Sequence, residues 1–464
     1  MRRFETIKIS GLRMLCACLL LVFMTGNRTM SEERMDELKK RTPMDLSFKQ
    51  LWKRRFVFDA ELPFPKDVTF LPCGHYAAEV TSLPAEMQLV TKDGDVKMRI
   101  EAPMDVQPPY TMHVAFGGKA RVGLFVTKDG VTRLNKLVPL PGGFDPREKN
   151  YTTDLVMRGA GGAGDVKCWL SAGMGQADVR FVTRGRENAL YWEDGRIFFT
   201  FSIRACGAEG VASFDPAKLD VRLEGIILFD YGDGKLRNDV ACHLFHDEEA
   251  GEWRAFVSNF STGGDGLGNG LNGRAEGGLN SAWSKENPLH GLSVMKAKSL
   301  GLKGLMHEDP SGIWDSEAKK WRLFLCTFVK GIKAQMMESD NWDGPYEPLT
   351  EIVPEDSTGT TIQWMNGVRY CFSGSAEHAL YVYSYPLLKK LGKLKLDVEP
   401  WGDTPLETPW GVMKTTNSRV WPCFAELPDG YPYKYILLTM DRINIPGMPN
   451  PNWTYGGLYI YGAN

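Results

Sequence analysis

The sequence predicts an all-β protein, and three observations indicate this fold class. Short runs of aromatic and β-branched residues alternate with turns that contain Asp-Gly, Asn-Gly or several glycines. The 464 residues include 49 glycines, 23 phenylalanines, 16 tyrosines and 13 tryptophans, which suits many strands joined by tight turns. Five segments in the C-terminal part repeat the same order of a polar group, a strand, a turn and a second strand. With 43% hydrophobic residues, a chain of this length can bury the cores of two or three domains.

Residues 1–30 are expected to be a signal peptide. A basic leader precedes an apolar run from Met14 to Met24, which is too short to span a bilayer. Cys16 and Cys18 lie inside this run with apolar residues still to follow, so a lipid anchor is not expected. We expect a secreted or periplasmic protein with no membrane anchor.

Two further segments precede the repeats. Residues 31–55 are expected to form a linker with a short charged helix that begins at Ser31. Residues 56–183 predict a β-sandwich-like domain, because alternating runs are separated by turns such as "KDGD" at Lys92, "KDG" at Lys128 and "GAGGAGD" at Gly159.

The repeated segments occupy residues 184–464. Each has a polar group, a strand, an acidic or glycine turn and a second apolar strand. They begin at residues 187, 238, 308, 356 and 417, at intervals of 51, 70, 48 and 61 residues. Such intervals correspond to one four-stranded propeller blade each, with insertions. The sequence therefore predicts a five-bladed β-propeller after the β-sandwich-like N-terminal domain.

Polar residues stand directly before the predicted inner strands of these blades. The inner strands of a propeller begin at the same face, so these residues are expected to ring the mouth of the central channel. They are Glu187, Asp239, Glu308, Asp309, Asp356 and Arg419. For any one carboxylate taken singly, the alternative is a turn in which it accepts bonds from backbone N–H groups.

The chain resembles the five-bladed propeller glycosidases, the clan that includes glycoside hydrolase family 43. The first motif is Glu308-Asp309-Pro310 before "SGIWD". The second, "AQMMESDNWDGPYEPL" at 334–349, is similar to the Ser-Asp-x-x-x-Gly-Pro-aromatic blade ending of those enzymes. The resemblance covers about the last 280 residues, outside the N-terminal domain.

The resemblance implies hydrolysis of glycosidic bonds by carboxylates of the first three blades. By position, Glu308 corresponds to the general acid and Asp239 to the aspartate that tunes it. Glu187 corresponds to the base, although Glu187-Asn188 stands where Asp-Pro is usual.

The same chemistry follows from the side chains. Glycoside hydrolysis needs one protonated carboxyl group to protonate the leaving oxygen and one carboxylate to activate water. Like charges in a narrow channel raise the pKa of one of them, and Glu308 has Asp309 beside it. His307 is an alternative acid, because imidazole titrates near neutrality.

Three other residues are candidates for substrate binding. Arg237 and Arg419 can hold a substrate hydroxyl or carboxylate, or can form structural ion pairs. Trp421 can stack on a sugar face or pack between blades, as can Trp401 and Trp410.

Neither a metal nor a cofactor is expected. His243 and His246 are three residues apart, but in a strand they point to opposite faces. Seven cysteines remain after the leader, an odd number without the spacing of a disulfide framework or zinc cluster. The glycine-rich stretch 261–283 lacks the Gly-Lys-Ser/Thr signature of a phosphate loop and is expected to be a mobile loop over one face of the propeller.

The sequence favours an exported, inverting glycoside hydrolase with a carbohydrate substrate. A non-catalytic carbohydrate-binding propeller is the alternative, and a phosphate-using carbohydrate enzyme or a lyase is a third. The 55 basic and 57 acidic residues give no basic surface for nucleic acid. A separation of about 6.5–9.5 Å between Glu308 and the base carboxylate is what inverting hydrolysis requires.

Overall fold

The computed structural model describes residues 41–117, 121–259, 278–302, 305–401, 405–413, 419–448 and 454–464. The leader predicted for residues 1–30, the charged helix expected after Ser31 and most of the glycine-rich stretch lie outside these ranges. The described part is almost entirely β-structure, which confirms the predicted class. Within it, no helix has the length and apolar character needed to cross a membrane.

A 3-10 helix at Pro43–Asp45 precedes β1 (Ser47–Arg54), the first described strand of the propeller, in a segment that was expected to be a linker. An N-terminal domain follows β1. Its elements are β2 (Glu61–Leu62), β3 (Gly74–Thr91), β4 (Val96–Glu101), β5 (Tyr110–Phe116), β6 (Arg121–Lys128), β7 (Val131–Pro139), the four-residue helix α1 (Tyr151–Asp154), β8 (Leu155–Ala163) and β9 (Lys167–Ser171).

The N-terminal domain is a single sheet folded around the long strand β3. The first half of β3 pairs with β9 and β5, and its second half pairs with β4 and β8, with a register break between Val80 and Ala85. The two halves enclose one apolar core, which includes Val80, Met87 and Met112. The predicted turn at Asp129-Gly130 has φ of 52° and 76°, so both residues adopt the left-handed conformation that a two-residue hairpin requires.

The first two blades follow the N-terminal domain. The strands of blade 1 are β10 (Gly175–Phe181), β14 (Arg196–Arg204), β15 (Ala208–Phe214) and β16 (Arg222–Asp230), with the short strands β13 (Trp192–Glu193) and β17 (Leu236–Arg237) paired to β14 and β16. The strands of blade 2 are β18 (Val240–Asp247), β19 (Glu252–Ser258), β20 (Leu279–Ser284) and β21 (Gly291–Ser299), with the short strand β11 (Thr183–Arg184) paired to β18 and β12 (Ala189–Leu190) paired to β11. The outer strands β16 and β21 pair in parallel and join the two blades into one sheet.

Blades 3 and 4 are simple four-stranded antiparallel sheets. Their strands are β22 (His307–Asp315), β23 (Lys320–Phe328), β24 (Ile332–Ser339) and β25 (Glu347–Pro348), then β26 (Thr358–Met365), β27 (Val368–Gly374), β28 (Tyr381–Ser384) and β29 (Lys390–Lys393). The hairpin of β26 and β27 turns at Asn366-Gly367, again with two positive φ angles.

Blade 5 is completed by a strand near the start of the described residues. The remaining strands are β30 (Lys395–Leu396), β31 (Leu406–Thr408), β32 (Gly411–Met413), β33 (Cys423–Glu426), β34 (Tyr435–Met440), β35 (Ile443–Asn444), β36 (Thr454–Tyr455) and β37 (Leu458–Ala463). The blade runs from β33 through β34 and β37 to β1, which pairs antiparallel with β37. One blade therefore contains both ends of the described chain.

The five blades form a closed ring around an axial channel. The inner strands β10, β18, β22 and β26 contact one another in chain order, β26 contacts β33, and β33 contacts β10. A bridge between Gly175 and Gly456 joins blade 1 to blade 5. The predicted five-bladed propeller is thus confirmed by its strand order. The propeller was expected to begin at residue 184, whereas its strands include 47–54 and 175–181, and the N-terminal domain is inserted between them.

A buried pair of histidines lies where the N-terminal sheet packs on the propeller. His75 Nε2 and His113 Nδ1 are 2.9 Å apart, and His113 Nε2 is 2.8 Å from Thr127 Oγ1. The ring of Phe58 lies 4.2 Å from that of His75, and Phe58 belongs to the apolar core shared with blades 1 and 5. Burial lowers the pKa of His75 well below its ordinary value and lowers the pKa of His113 to about 4.

We expect this pair to make the fold sensitive to acid. The unfolded chain binds protons on both rings near pH 6.5, whereas the folded protein does not. The contribution of the two neutral rings to the free energy of unfolding is therefore fully present above pH 6.5 and is lost as the pH falls towards 4. The slope is about 1.4 kcal/mol per pH unit for each histidine. Denaturant unfolding between pH 4 and pH 6.5 should show that the free energy of unfolding of His113→Gln depends less steeply on pH than that of wild type. The exposed control His290→Gln should keep the wild-type slope; equal slopes in all three proteins would contradict this account.

Candidate active site

A cavity of about 240 Å³ lies at the end of the channel where the inner strands begin. Three carboxyl groups line it, from Asp178, Glu308 and Asp309. Three guanidinium groups line it as well, from Arg204, Arg419 and Arg442. Apolar side chains, among them Phe328 and Met440, complete the wall. The cavity therefore combines charged groups of both signs with an apolar surface, as small-molecule binding sites commonly do.

The first four inner strands have the same backbone feature at the end that lines the cavity. Each contains a β-bulge, and one residue in each bulge has a positive φ. These residues are Asp178 (57°), Ala241 (55°), Asp309 (56°) and Gly359 (62°). In a regular strand Glu308 and Asp309 would face opposite sides. The bulge lets both line the same cavity, and the strained φ of Asp178 and Asp309 indicates a position held by the surrounding structure.

Glu308 has the electrostatic surroundings of a general acid. Burial raises the pKa of Glu308 well above its ordinary value, and the carboxylates of Asp309 and Asp178 raise the pKa further. The guanidinium groups of Arg419 and Arg442 oppose this rise. The net result is a carboxyl group that keeps its proton at a pH where an exposed glutamate would have lost it.

Asp309 is fixed by donors from the neighbouring blade. Its Oδ2 accepts bonds from Thr358 Oγ1 at 3.0 Å and from the Gly359 backbone N–H at 2.9 Å. These donors and Arg180 lower the pKa of Asp309, while burial and Asp178 raise it more strongly. Gly359 permits this contact, because a Cβ there would lie 2.4 Å from the Trp421 ring. Asp309 therefore ties blade 3 to blade 4 while it faces the cavity.

Asp178 supplies the carboxylate of the first blade. It is only 7% exposed, and its Oδ2 lies 2.6 Å from Arg204 Nη2 in a buried ion pair. Arg204 ends β14, the strand paired with β10. The residues predicted for the site did not include Asp178, Arg204 or Arg442. The available signal was "GQADVRF", an acidic residue before an apolar strand directly after a glycine turn, similar to "NDVACHLF" in blade 2.

Glu187 lies at the opposite end of the channel. Its backbone oxygen accepts a bond from Trp364 Nε1, near the end of β26, whereas the cavity lies at the beginning of that strand. Its side chain is 43% exposed and its Oε2 is 3.5 Å from Arg369. The sequence placed the start of blade 1 one strand too late. The structure thus separates Glu187 from the carboxylates with which it was grouped.

Asp239 and Arg237 lie beside the cavity rather than on its wall. Asp239 is fully buried and accepts a bond of 2.5 Å from the hydroxyl of Tyr231. Arg237 stacks 4.9 Å from the same ring and pairs with Asp233 at 2.5 Å. Val240, the residue after Asp239, lines the cavity. Asp239 and Arg237, through their contacts with Tyr231, therefore support the start of β18, the inner strand of blade 2.

His307 and Trp421 do not line the cavity of the three carboxyl groups, and Trp421 follows the packing alternative. His307 Nδ1 is 2.7 Å from Thr327 Oγ1, burial lowers its pKa to about 4, and the residue lines a separate cavity with Gln335 and Tyr346. Trp421 is 1% exposed and packs under the guanidinium of Arg180 at 4.9 Å. Stacking of Trp421 on a sugar is excluded by this burial.

Asp356 and Arg419 form an ion pair at the rim. Arg419 Nη1 lies 2.5 Å from Asp356 Oδ2, which also accepts the backbone N–H of Ala376. Both side chains are about one quarter exposed, and Arg419 lines the cavity. Of the predicted site residues, the structure brings Glu308, Asp309 and Arg419 together, with Asp356 behind Arg419. No cluster of three or more potential metal ligands occurs within the described ranges.

Comparisons with known proteins give a likeness in structure but none in sequence. No family model matches the sequence, and no curated protein matches it. Among solved structures, a thermostable family-43 glycoside hydrolase is similar, with 13% identity, coverage of 62% of this chain and 89% of that chain, and a TM-score of 0.39.

Two other solved structures show the same level of likeness. An α-L-arabinofuranosidase from Podospora anserina, solved with cellotriose, has 10% identity, coverage of 63% and 91%, and a TM-score of 0.36. A family 117 glycoside hydrolase from the marine bacterium Zobellia galactanivorans has 11% identity, coverage of 62% and 84%, and a TM-score of 0.37. At these identities the likeness concerns the fold alone.

Proposed function

We propose that this protein is an exported glycoside hydrolase that cleaves glycosidic bonds in an oligosaccharide or polysaccharide, with inversion at the anomeric carbon. The observation that carries the proposal is the meeting of Asp178, Glu308 and Asp309 in one cavity, with Glu308 in surroundings that keep it protonated. Export rests on the leader and its short apolar run, residues 14–24.

Each carboxyl group has a definite role in this reaction. Glu308 gives its proton to the glycosidic oxygen as the bond from that oxygen to the anomeric carbon breaks. Asp178 accepts a proton from a water molecule, whose oxygen forms the new bond on the opposite face of the sugar. Asp309 is a positioning residue, because its negative charge raises the pKa of Glu308.

The base is Asp178 in this proposal, in place of Glu187. Asp178 shares the cavity with Glu308, whereas Glu187 is at the far end of the channel. Arg204 orients the Asp178 carboxylate through their ion pair. Asp239, which was expected to tune the acid, instead holds the Tyr231 hydroxyl.

The experiment is a screen of the purified protein against aryl glycosides and polysaccharides. For any substrate that is cleaved, proton NMR in the first minutes identifies the anomer that is released. We expect turnover, with the product first appearing as the anomer opposite to that of the substrate. Retention of configuration would overturn the assignment of Asp178 as a base that activates water. Sugar binding without turnover would favour the carbohydrate-binding alternative.

A further inference from the structure

The charges of the cavity suggest more than bond cleavage. Arg204, Arg419 and Arg442 line it, and when Glu308 carries its proton they face the carboxylates of Asp178 and Asp309. Two of the three guanidinium groups have carboxylate partners, since Arg204 pairs with Asp178 and Arg419 pairs with Asp356 behind the wall. A neutral sugar offers hydroxyl groups, which do not need several guanidinium groups around one cavity.

Two of these arginines lie near the proposed general acid and work against it. Both Arg419 and Arg442 lower the pKa of Glu308. A cation beside a carboxyl group favours its ionised form, which cannot donate a proton. A negatively charged substrate group bound between the cations would offset this effect, so the arrangement suits an anionic sugar better than a neutral one.

The cavity wall also contains polar atoms without partners. Arg204 is 4% exposed and Ser258 is 1% exposed. Neither Arg204 Nε nor Ser258 Oγ has a hydrogen-bond partner among the described residues. Buried polar atoms in folded proteins normally have a partner, and leaving one without costs free energy. Both residues line the cavity, which is where a ligand with several oxygen acceptors would lie.

Arg419 has donors to spare for such a ligand. Only its Nη1 is used by Asp356 among the described residues, and a guanidinium carries five N–H groups in a fixed fork. This fork matches two oxygens of a carboxylate or a sulfate. The 24% exposure of the Arg419 side chain leaves it accessible from the mouth of the cavity.

We propose that the cavity takes a sugar unit that carries a negative charge, a uronic acid carboxylate or a sulfate ester, held between Arg419 and Arg442. The inference rests on the proposed function and deepens it by naming the substrate class. The anionic group lies beside Glu308, so the charged unit occupies the position next to the bond that is cleaved.

The test measures binding without catalysis. In the Glu308→Gln background, isothermal titration calorimetry compares glucuronate, galacturonate and mannuronate with glucose, galactose and mannose, and with their 6-sulfates. We expect at least one charged sugar to bind about tenfold or more tightly than its neutral parent, with affinity falling as salt is raised. The carboxylate and sulfate arms show which anion the site prefers.

Three further variants locate the effect. Adding Arg419→Gln should remove the preference for the charged sugar, and Arg442→Gln should do the same if the protein folds. The control Arg222→Gln changes an exposed arginine on the outer strand of blade 1 and should keep the preference. Equal affinity for charged and neutral sugars, no binding of any charged sugar, or an unchanged preference in Arg419→Gln would each overturn the inference. Glycoside cleavage by wild type is scored separately, so failure of the hydrolase proposal is distinguishable.

Discussion

Replacing Glu308 with glutamine is expected to lower kcat by at least about a hundredfold, on the order of the contribution of a general acid. The amide keeps the size of the side chain but cannot donate a proton to the leaving oxygen. Asp178→Asn should cause a loss of similar size, because the amide cannot accept the proton of water. The measurement is initial rate on the best substrate from the glycoside screen.

The pH dependence of the rate separates the two roles. Burial and the neighbouring Asp309 raise the pKa of Glu308, so the wild-type rate should fall as the pH rises through that pKa and the acid ionises. Glu308→Gln has no proton to lose at this position. The alkaline fall should therefore disappear from its weak residual rate, whereas it should remain in Asp178→Asn.

Matched controls exist on the same blades. Glu317 is exposed in the turn between β22 and β23, and Asp194 is exposed in the turn between β13 and β14. Glu317→Gln and Asp194→Asn should therefore keep the wild-type rate. Full activity in Asp178→Asn together with a hundredfold loss in Glu187→Gln would restore the assignment made from sequence alone.

The repeats made the propeller predictable, and the same repeats explain why blade 1 was misplaced. Segments such as 308–328 carry a strand, an acidic turn and a second strand in sequence order, so each indicates a blade. In blade 1 the inner strand and the next strand are separated by β11, β12 and β13. The hairpin pattern around Asp194 therefore contains β14, the second strand of that blade. The inner strand is β10, which lies upstream at Gly175–Phe181.

Site residues that belong to one short sequence motif could be predicted, whereas those that come together only through the pairing of distant strands could not. Glu308-Asp309-Pro310 is one motif, and its two carboxyl groups meet in the cavity. Arg204 ends β14, the second strand of blade 1, and Arg442 follows β34, the second strand of blade 5. Both arginines reach the mouth of the cavity because these strands run antiparallel to the inner strands. No short motif marks such positions. Closure by β1 is likewise invisible locally, since its partner β37 is about four hundred residues away.

Truncating Phe48 to alanine is expected to lower the free energy of unfolding by about 3–5 kcal/mol, the range for removing a buried phenylalanine. Phe48 lies in the closing strand β1, is 0% exposed and packs edge to face with Phe424 at 6.2 Å. The same core includes Phe372 and Tyr435 of blades 4 and 5. Since β1 is the outer strand of blade 5, loss of this contact weakens the pairing that closes the ring as well as the core itself.

A second change on the same strand makes the result interpretable. Lys53 is exposed on β1, so Lys53→Ala should change the free energy of unfolding by no more than about 0.5 kcal/mol. Guanidinium titrations followed by tryptophan fluorescence measure both variants. A loss in Phe48→Ala close to that of Lys53→Ala would show that β1 is dispensable for stability. The expected large difference, accompanied by earlier loss on heating of turnover of the substrate found in the screen, would place the closing strand among the elements that hold Asp178 and Glu308 in one cavity.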